Sequence, residues 1–305
     1  MRGVGQVFFQ NSPVSGALFL IGIFIGDPFV GLLAILGVVS ATAFAYYLQL
    51  DADLTASGIW GYNGSLVGCA LGVFYWGNDG PDTVEDLKVL VPTVLMAMAS
   101  VVLCMSLARV LVPNFGIVPL TFPFQLATWS WLLGAQRWSN FTPGHGIQPA
   151  LAQLSLTGNT NASQPAVDAA LLAEGILSGV SQTFLVSHWG AGACMLAGIA
   201  ACSPISAMWG LVGSAAGSLL ALALGASHDA VYAGLHGYNA ALSAIAIGGF
   251  FVIQDDCRST VLTLFAVVLT SVATDAVGSL LAPVGLPALT FPFTATVWAR
   301  RHPLR

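Results

Sequence analysis

Gln6 and Gln182, Thr121 and Thr290, and Tyr62 and Tyr238 are polar residues set in pairs within otherwise oily stretches. A carboxamide, a hydroxyl and a phenol share one competence: each hydrogen-bonds a neutral partner without changing charge. Hydrolytic chemistry has little to work with. There is no nucleophile elbow and no HExxH run, and His188 and His236 show no metal-ligand spacing with the other histidines, His145, His228 and His302. No catalytic residue, no metal and no cofactor is therefore expected. Asp275, flanked by Ser271 and Ser279 within the apolar run 260–282, is the one acid that invites a proton-coupling role. It has no twin elsewhere in the chain, so a hydrogen-bonded place at a helix interface is the expectation.

The two threonines sit in identical words, Leu120–Phe124 and Leu289–Phe293, both LTFPF. Pro123 and Pro292 lack a backbone N–H and bias Phe122 and Phe291 away from helical dihedrals. A half-helix starting at each proline leaves Thr121 and Thr290 on non-helical backbone. One such threonine is ordinarily a helix cap. Two in matching places point instead to a paired site, because irregular backbone at membrane depth survives only where protein buries it or a wet cavity receives it.

The elements that must hold these residues are membrane helices. Hydrophobic residues make up 56% of the chain and charged residues 7%, against roughly 25% charged in an ordinary soluble domain. The runs 14–50, 89–133 and 185–224 carry Asp27, Arg109 and no charge respectively. Each exceeds the ~20 residues that cross a bilayer core. A net charge of −5 scattered over short loops gives no footing for nucleic acid. The N-terminal stretch has no basic region followed by a small-residue cleavage site, so no signal peptide is read there. The five cysteines (69, 104, 194, 202, 257) read as small packing residues.

The chain also repeats. Gly5–Phe9 matches Ser181–Leu185 at an offset of 182 − 6 = 176, and Gly61-Tyr62-Asn63 matches Gly237-Tyr238-Asn239 at 238 − 62 = 176. The LTFPF pair stands at 290 − 121 = 169, and the difference falls in the turn 255–258 set against the longer loop 77–88. The expected domains are a first transmembrane repeat over 1–136, a polar, water-exposed linker over 137–167 and a second transmembrane repeat over 168–305. The expected spans are 13–26, 28–50, 57–76, 88–112 and 125–136, then 189–202, 204–225, 231–252, 258–281 and 294–300. Five crossings per half invert the second repeat relative to the first. Arg2, Arg300, Arg301 and Arg305 then share one side, read as cytoplasmic. The fold class is thus an all-α polytopic membrane protein whose inverted repeats and tilted half-helices enclose a central pore.

Leu286–Phe293 fits the LPxxTxPF signature of the urea transporter family. With Gln6-Val7-x-Phe9, Asn11-Ser12-Pro13 and the Gly-Tyr-Asn pairs, the whole chain resembles that family. The resemblance implies a homotrimer in membrane lipid, in the bacterial inner membrane, with one pore per subunit. It implies pore-centre threonines at Thr121 and Thr290, polar binding-site residues at Gln6 and Gln182, aromatic slot positions at Phe9, Tyr62 and Tyr238, and an apolar wall at Leu66 and Leu242. Thr183 and Leu185 differ from Val7 and Phe9, so the two slots need not match. Pro119 stands one position late for the first signature, and Ser187-His188-Trp189 replaces Asn-Ser-Pro. The first repeat also lacks a counterpart of 167–179.

A row of carbonyl and hydroxyl oxygens between flat rings suits urea, which is planar, neutral and dense in N–H donors. Each net hydrogen bond contributes only ~0.5–1.5 kcal/mol, weak enough to release the solute. Passive, channel-like passage of urea is the reading. A channel for ammonia, water or another small neutral amide on the same scaffold is the alternative.

Overall fold

The computed structural model describes residues 1–76, 88–138, 166–252 and 256–299. The expected linker lies almost wholly outside these residues, as do the loop 77–87 and the basic cluster Arg300, Arg301 and Arg305.

Every regular element described is helical. In the first half these are α1 (Arg2–Gly5), α2 (Pro13–Gly26), α3 (Pro28–Tyr47), α4 (Ala52–Ala56), α5 (Tyr62–Trp76), α6 (Leu90–Phe115) and α7 (Phe122–Ala135). The second half has α8 (Ala169–Ser181), α9 (Trp189–Ala200), α10 (Pro204–Ala223), α11 (His228–Tyr232), α12 (Tyr238–Ala244), α13 (Cys257–Leu281) and α14 (Phe291–Ala299). A π-helical stretch, Ile245–Phe251, prolongs α12.

Among the described residues four helices are long and apolar enough to cross a membrane: α3, α6, α10 and α13. Two further crossings would come from bent pairs. Arg2–Phe8 meets α2 at 82°, and Ala169–Phe184 meets α9 at 71°. The chain is an all-α polytopic membrane protein. Its helices expose apolar side chains such as Leu32, Leu95, Phe265 and Leu280 and bury hydroxyls such as Thr93, Ser100, Thr263 and Thr270. The buried hydroxyls mostly satisfy themselves on the carbonyl a turn back, as Thr270 does on Ala266 O at 2.7 Å.

Local sequence explains where the helices start. Asp27 caps α3, accepting from Phe29 N (2.8 Å) and Val30 N (3.0 Å), with Pro28 in the first helical position. Ser203 and Pro204 do the same for α10. His188, where the first half has Ser12, caps α9 through its ring nitrogen Nδ1, which accepts from Gly190 N at 3.0 Å. Asp256 caps α13, and the Ser259 backbone N–H holds its carboxyl below the ordinary range. That cap is complete at neutral pH and is lost only as pH falls through the lowered value.

Four span assignments shift. Residues 57–61, expected to open a span, form a turn after the short α4, and α5 starts at Tyr62. Gly58 and Gly234 (φ 86° and 80°) turn the chain in the two matching places. In the second half 231–252 likewise divides into α11, a turn, α12 and the π-helical stretch. The last helices start at Phe122 and Phe291, three residues earlier than the expected 125 and 294. The cysteines divide as well: Cys69 and Cys104 are buried, whereas Cys202 and Cys257 are exposed at helix ends, and all five are free.

Helices α3 and α5 pack with their backbones nearly touching. A Cβ on Gly37 would collide with the Gly64 carbonyl oxygen, and one on Gly213 in α10 would lie 2.6 Å from Ala240 O. Small residues permit such approach where lipid supplies no hydrophobic drive between helices. Gly37→Ala is expected to lower stability by roughly 1–3 kcal/mol, and Gly213→Ala by less because its clash is milder. Thermal unfolding in detergent checks both the size and the order.

Candidate functional site

The two LTFPF words meet. Leu120 and Leu289 adopt the left-handed conformation (φ 51° and 49°), which reverses the chain immediately before α7 and α14. Contrary to the bias expected from the prolines, Phe122 and Phe291 are helical, the first residues of their elements. First-turn N–H groups have no helical acceptor, so Pro123 and Pro292 cost nothing there, and the break moves to the leucine. A left-handed non-glycine residue costs about 1–3 kcal/mol and needs surroundings that hold it.

Those surroundings are the Gly-Tyr-Asn words. The Tyr62 hydroxyl donates to Leu120 O, and the Tyr238 hydroxyl donates to Leu289 O at 2.8 Å. Asn63 Nδ2 reaches the same Leu120 O at 3.5 Å, and its Oδ1 accepts from Phe124 N at 3.2 Å. Asn239 repeats this with Leu289 O (3.1 Å) and Phe293 N (3.4 Å). Each asparagine therefore satisfies both ends of a break, as expected of a structural amide. Its oxygen also offsets the positive end of the half-helix.

The half-helices meet at their N-termini. Thr290 Oγ1 donates to Thr121 Oγ1 at 2.8 Å, and Thr121 Oγ1 lies 3.1 Å from Thr294 Oγ1. Both Thr121 and Thr290 are 3% exposed. The contacts across the junction are reciprocal. Trp129 Nε1 donates to Pro287 O (2.9 Å) and Trp298 Nε1 to Val118 O (2.8 Å), with 298 − 129 = 169 and 287 − 118 = 169. The rings of Phe122 and Phe291 face each other at 5.9 Å.

A cavity of about 320 Å³ leads to this junction from one side. Its lining includes Gln6, Phe9, Tyr62 and Thr121 of the residues singled out in the sequence. Gln6 Nε2 donates to Ser57 O at 2.8 Å, which leaves its Oε1 free to accept. Gln182 is held in the same way on Ala233 O at 2.9 Å, so each amide ties down a turn and keeps an oxygen to spare. Leu66 and Leu242 are fully buried on α5 and α12. Thr183 is 1% exposed and its hydroxyl has no partner. Phe9 and Leu185 both end their short 3₁₀ turns left-handed, at φ 61° and 60°.

Several residues of the site escaped the sequence reading. Phe250 stacks on Phe9 at 5.1 Å and 25°, Phe251 meets Phe9 edge-on at 5.6 Å, and both line the cavity with Phe293. The repeat register held the signal, since 250 − 74 = 176 pairs Phe250 with Phe74. What the register could not show is the π-helical stretch that carries Phe250, where the first half has regular α-helix. Gln125 and Thr294, paired at 294 − 125 = 169, also belong to the junction. Asp275 lies outside it, with its Oδ1 3.4 Å from His236 Nδ1 and its side chain half exposed on α13. No group of His, Cys, Asp and Glu among the described residues could hold a metal.

Broken helices that meet head to head in a polar junction, inside an oily bundle, define a membrane channel or transporter. The comparisons carry this further. The urea transporter family model matches residues 1–301. Urea transporter 1 of Rattus norvegicus is 30% identical over 293 residues, covering 96% of this chain and 73% of that protein. Urea transporter 1 of Capra hircus is 29% identical over 300 residues with the same coverage. The chain belongs to the urea transporter family.

Proposed function

We propose that the protein passes urea through the membrane passively, along a path that runs by the junction of α7 and α14. The observation that carries this reading is the junction itself: Thr121 and Thr290, 169 residues apart, hydrogen-bond at 2.8 Å where two helix N-termini converge. Backbone breaks, buried hydroxyls and left-handed leucines are expensive in a lipid-filled bundle, and membership of the family gives them a purpose. The residues of the path are Gln6, Phe9, Tyr62, Leu66 and Thr121 from one half, and Gln182, Thr183, Tyr238, Leu242 and Thr290 from the other. The spare oxygens of Gln6 and Gln182 stand near its two mouths, and the stacked Phe9–Phe250 pair forms a flat wall along it. Half-helix N-termini oppose cations, and the weak oxygen row cannot restore an ion's hydration. The function needs no catalytic residue. His188 is already spent as a helix cap and His236 is paired with Asp275.

The halves 1–136 and 168–305 are read as inverted repeats, three copies of the chain as the working assembly, and the plasma membrane as its place with both termini cytoplasmic. Relative permeabilities of urea, ammonia and water in proteoliposomes test the solute. Urea flux well above empty liposomes, with little added water or ammonia flux, is the expected result. The reverse order would assign the scaffold to a different small solute. Removing this ring from the wall by Phe250→Ala is expected to narrow the preference for urea over N,N′-dimethylurea by about tenfold, the size of one lost steric contact worth ~1–3 kcal/mol. An unchanged ratio would remove the Phe9–Phe250 pair from the path.

A further inference from the structure

The junction contains a fully buried carboxamide, Gln125, whose two ends are in unlike states. Its Nε2 lies 3.2, 3.0 and 3.1 Å from the hydroxyls of Thr121, Thr290 and Thr294. Its Oε1 is buried and has no hydrogen-bond partner.

Counting protons shows what the junction can still offer. Thr290 donates to Thr121, and Thr294 donates to the Thr290 carbonyl at 3.2 Å. Thr121 is then the donor to Thr294 across their 3.1 Å contact. All three hydroxyl protons are spent inside this circuit, and the two N–H of Gln125 are spent on the hydroxyl oxygens. Turning the carboxamide over would leave two orphan N–H groups in place of one orphan oxygen, so the orientation is fixed by the count. Among these four side chains no donor is spare and one buried acceptor is unspent. At the matching place in the second half stands Thr294, whose hydroxyl meets Thr121 at 3.1 Å but which has no amide oxygen to offer. The asymmetry belongs to Gln125 alone.

We propose that Gln125 is a specificity-determining residue for permeation: its Oε1 accepts an N–H of a neutral planar amide at the junction of the two half-helices. The role rests on the reading of the chain as a urea path. It assigns the midpoint to the solute's N–H edge, not to its carbonyl, because the donors of Thr121, Thr290, Thr294 and Gln125 are already engaged. The threonines act as the frame that aims the amide, and a buried acceptor without a partner selects for a solute that brings its own donor.

The test uses the full chain in liposomes with glutamine labelled in its side-chain carbonyl carbon. The Gln125 resonance is the one missing from both Gln125→Leu and Gln125→Glu spectra. Urea is expected to move that resonance saturably, and glycerol, which has no N–H, to leave it in place. Gln125→Leu is expected to lower urea flux about three- to tenfold, the worth of one net hydrogen bond. A Gln125 resonance indifferent to urea overturns the proposal even if the variant fails to assemble, since that measurement is made on the parent. Unchanged flux in an assembled Gln125→Leu protein overturns it as well. A parent that carries no urea at all is a different failure, and it strikes the function instead.

Discussion

Thr290→Val, in a protein that still assembles, carries urea at least about tenfold more slowly than the parent. Valine keeps the shape and the methyl contacts, so packing changes little. What goes is one hydroxyl that donates to Thr121 at 2.8 Å and accepts from Gln125 at 3.0 Å. Each net hydrogen bond contributes ~0.5–1.5 kcal/mol, and a buried group left without its partner costs ~1–3 kcal/mol. The combined loss of roughly 2 kcal/mol, placed where the solute crosses, is more than tenfold in rate. Thr121→Val is expected to act in the same direction, because its oxygen closes the same circuit through Thr294. Tracer flux into liposomes, scaled to trimer or monomer content by size exclusion, reads the effect. Parental flux in Thr290→Val would free the hydroxyl of any part in the path.

The second large effect falls on stability. Asn63→Leu strips the Phe124 N–H of its acceptor and removes one donor to Leu120 O. Tyr62 still donates to that carbonyl, so the main penalty is one orphaned, buried N–H, about 1–3 kcal/mol. Tyr62→Phe alone is milder for the converse reason. The double substitution leaves the left-handed Leu120 with no side-chain partner on its carbonyl. It is expected to cost more than the sum of the single losses, because neighbours sharing one acceptor do not add. The corresponding cycle at Tyr238 and Asn239 acts on Leu289 O and should show the same excess. Melting temperatures of the singles and doubles in detergent decide it. Strict additivity would mean the two side chains do not jointly hold the break.

Composition and repetition made the architecture legible. Long uncharged runs mark the spans, and proline at 28 and 204 marks helix starts with a capping residue before each. The place of the site was legible too, since two copies of LTFPF in one oily chain announce paired breaks. The position of the break was not. Proline is the strongest local signal in the word, yet its missing N–H is harmless in a first turn, and the backbone turns at Leu120 and Leu289 with no residue-type signature. Phe250 was hidden because π-helical winding depends on packing against α10, where Gly248 lies beneath the Trp209 ring. Gln125 was hidden because a lone amide after Pro-Phe has no period and no repeat partner of its own type. Its reach to three threonines exists only once the two half-helices face each other.

A conduit for urea built from paired breaks needs no coupling ion. Labelled-urea uptake into proteoliposomes, with proton and sodium gradients collapsed by ionophores, tests this directly. Rapid equilibration to the external urea concentration, at a rate unaltered when either gradient is imposed, is the expected result. Uptake no faster than in protein-free liposomes, or accumulation that appears only with a gradient, would contradict it.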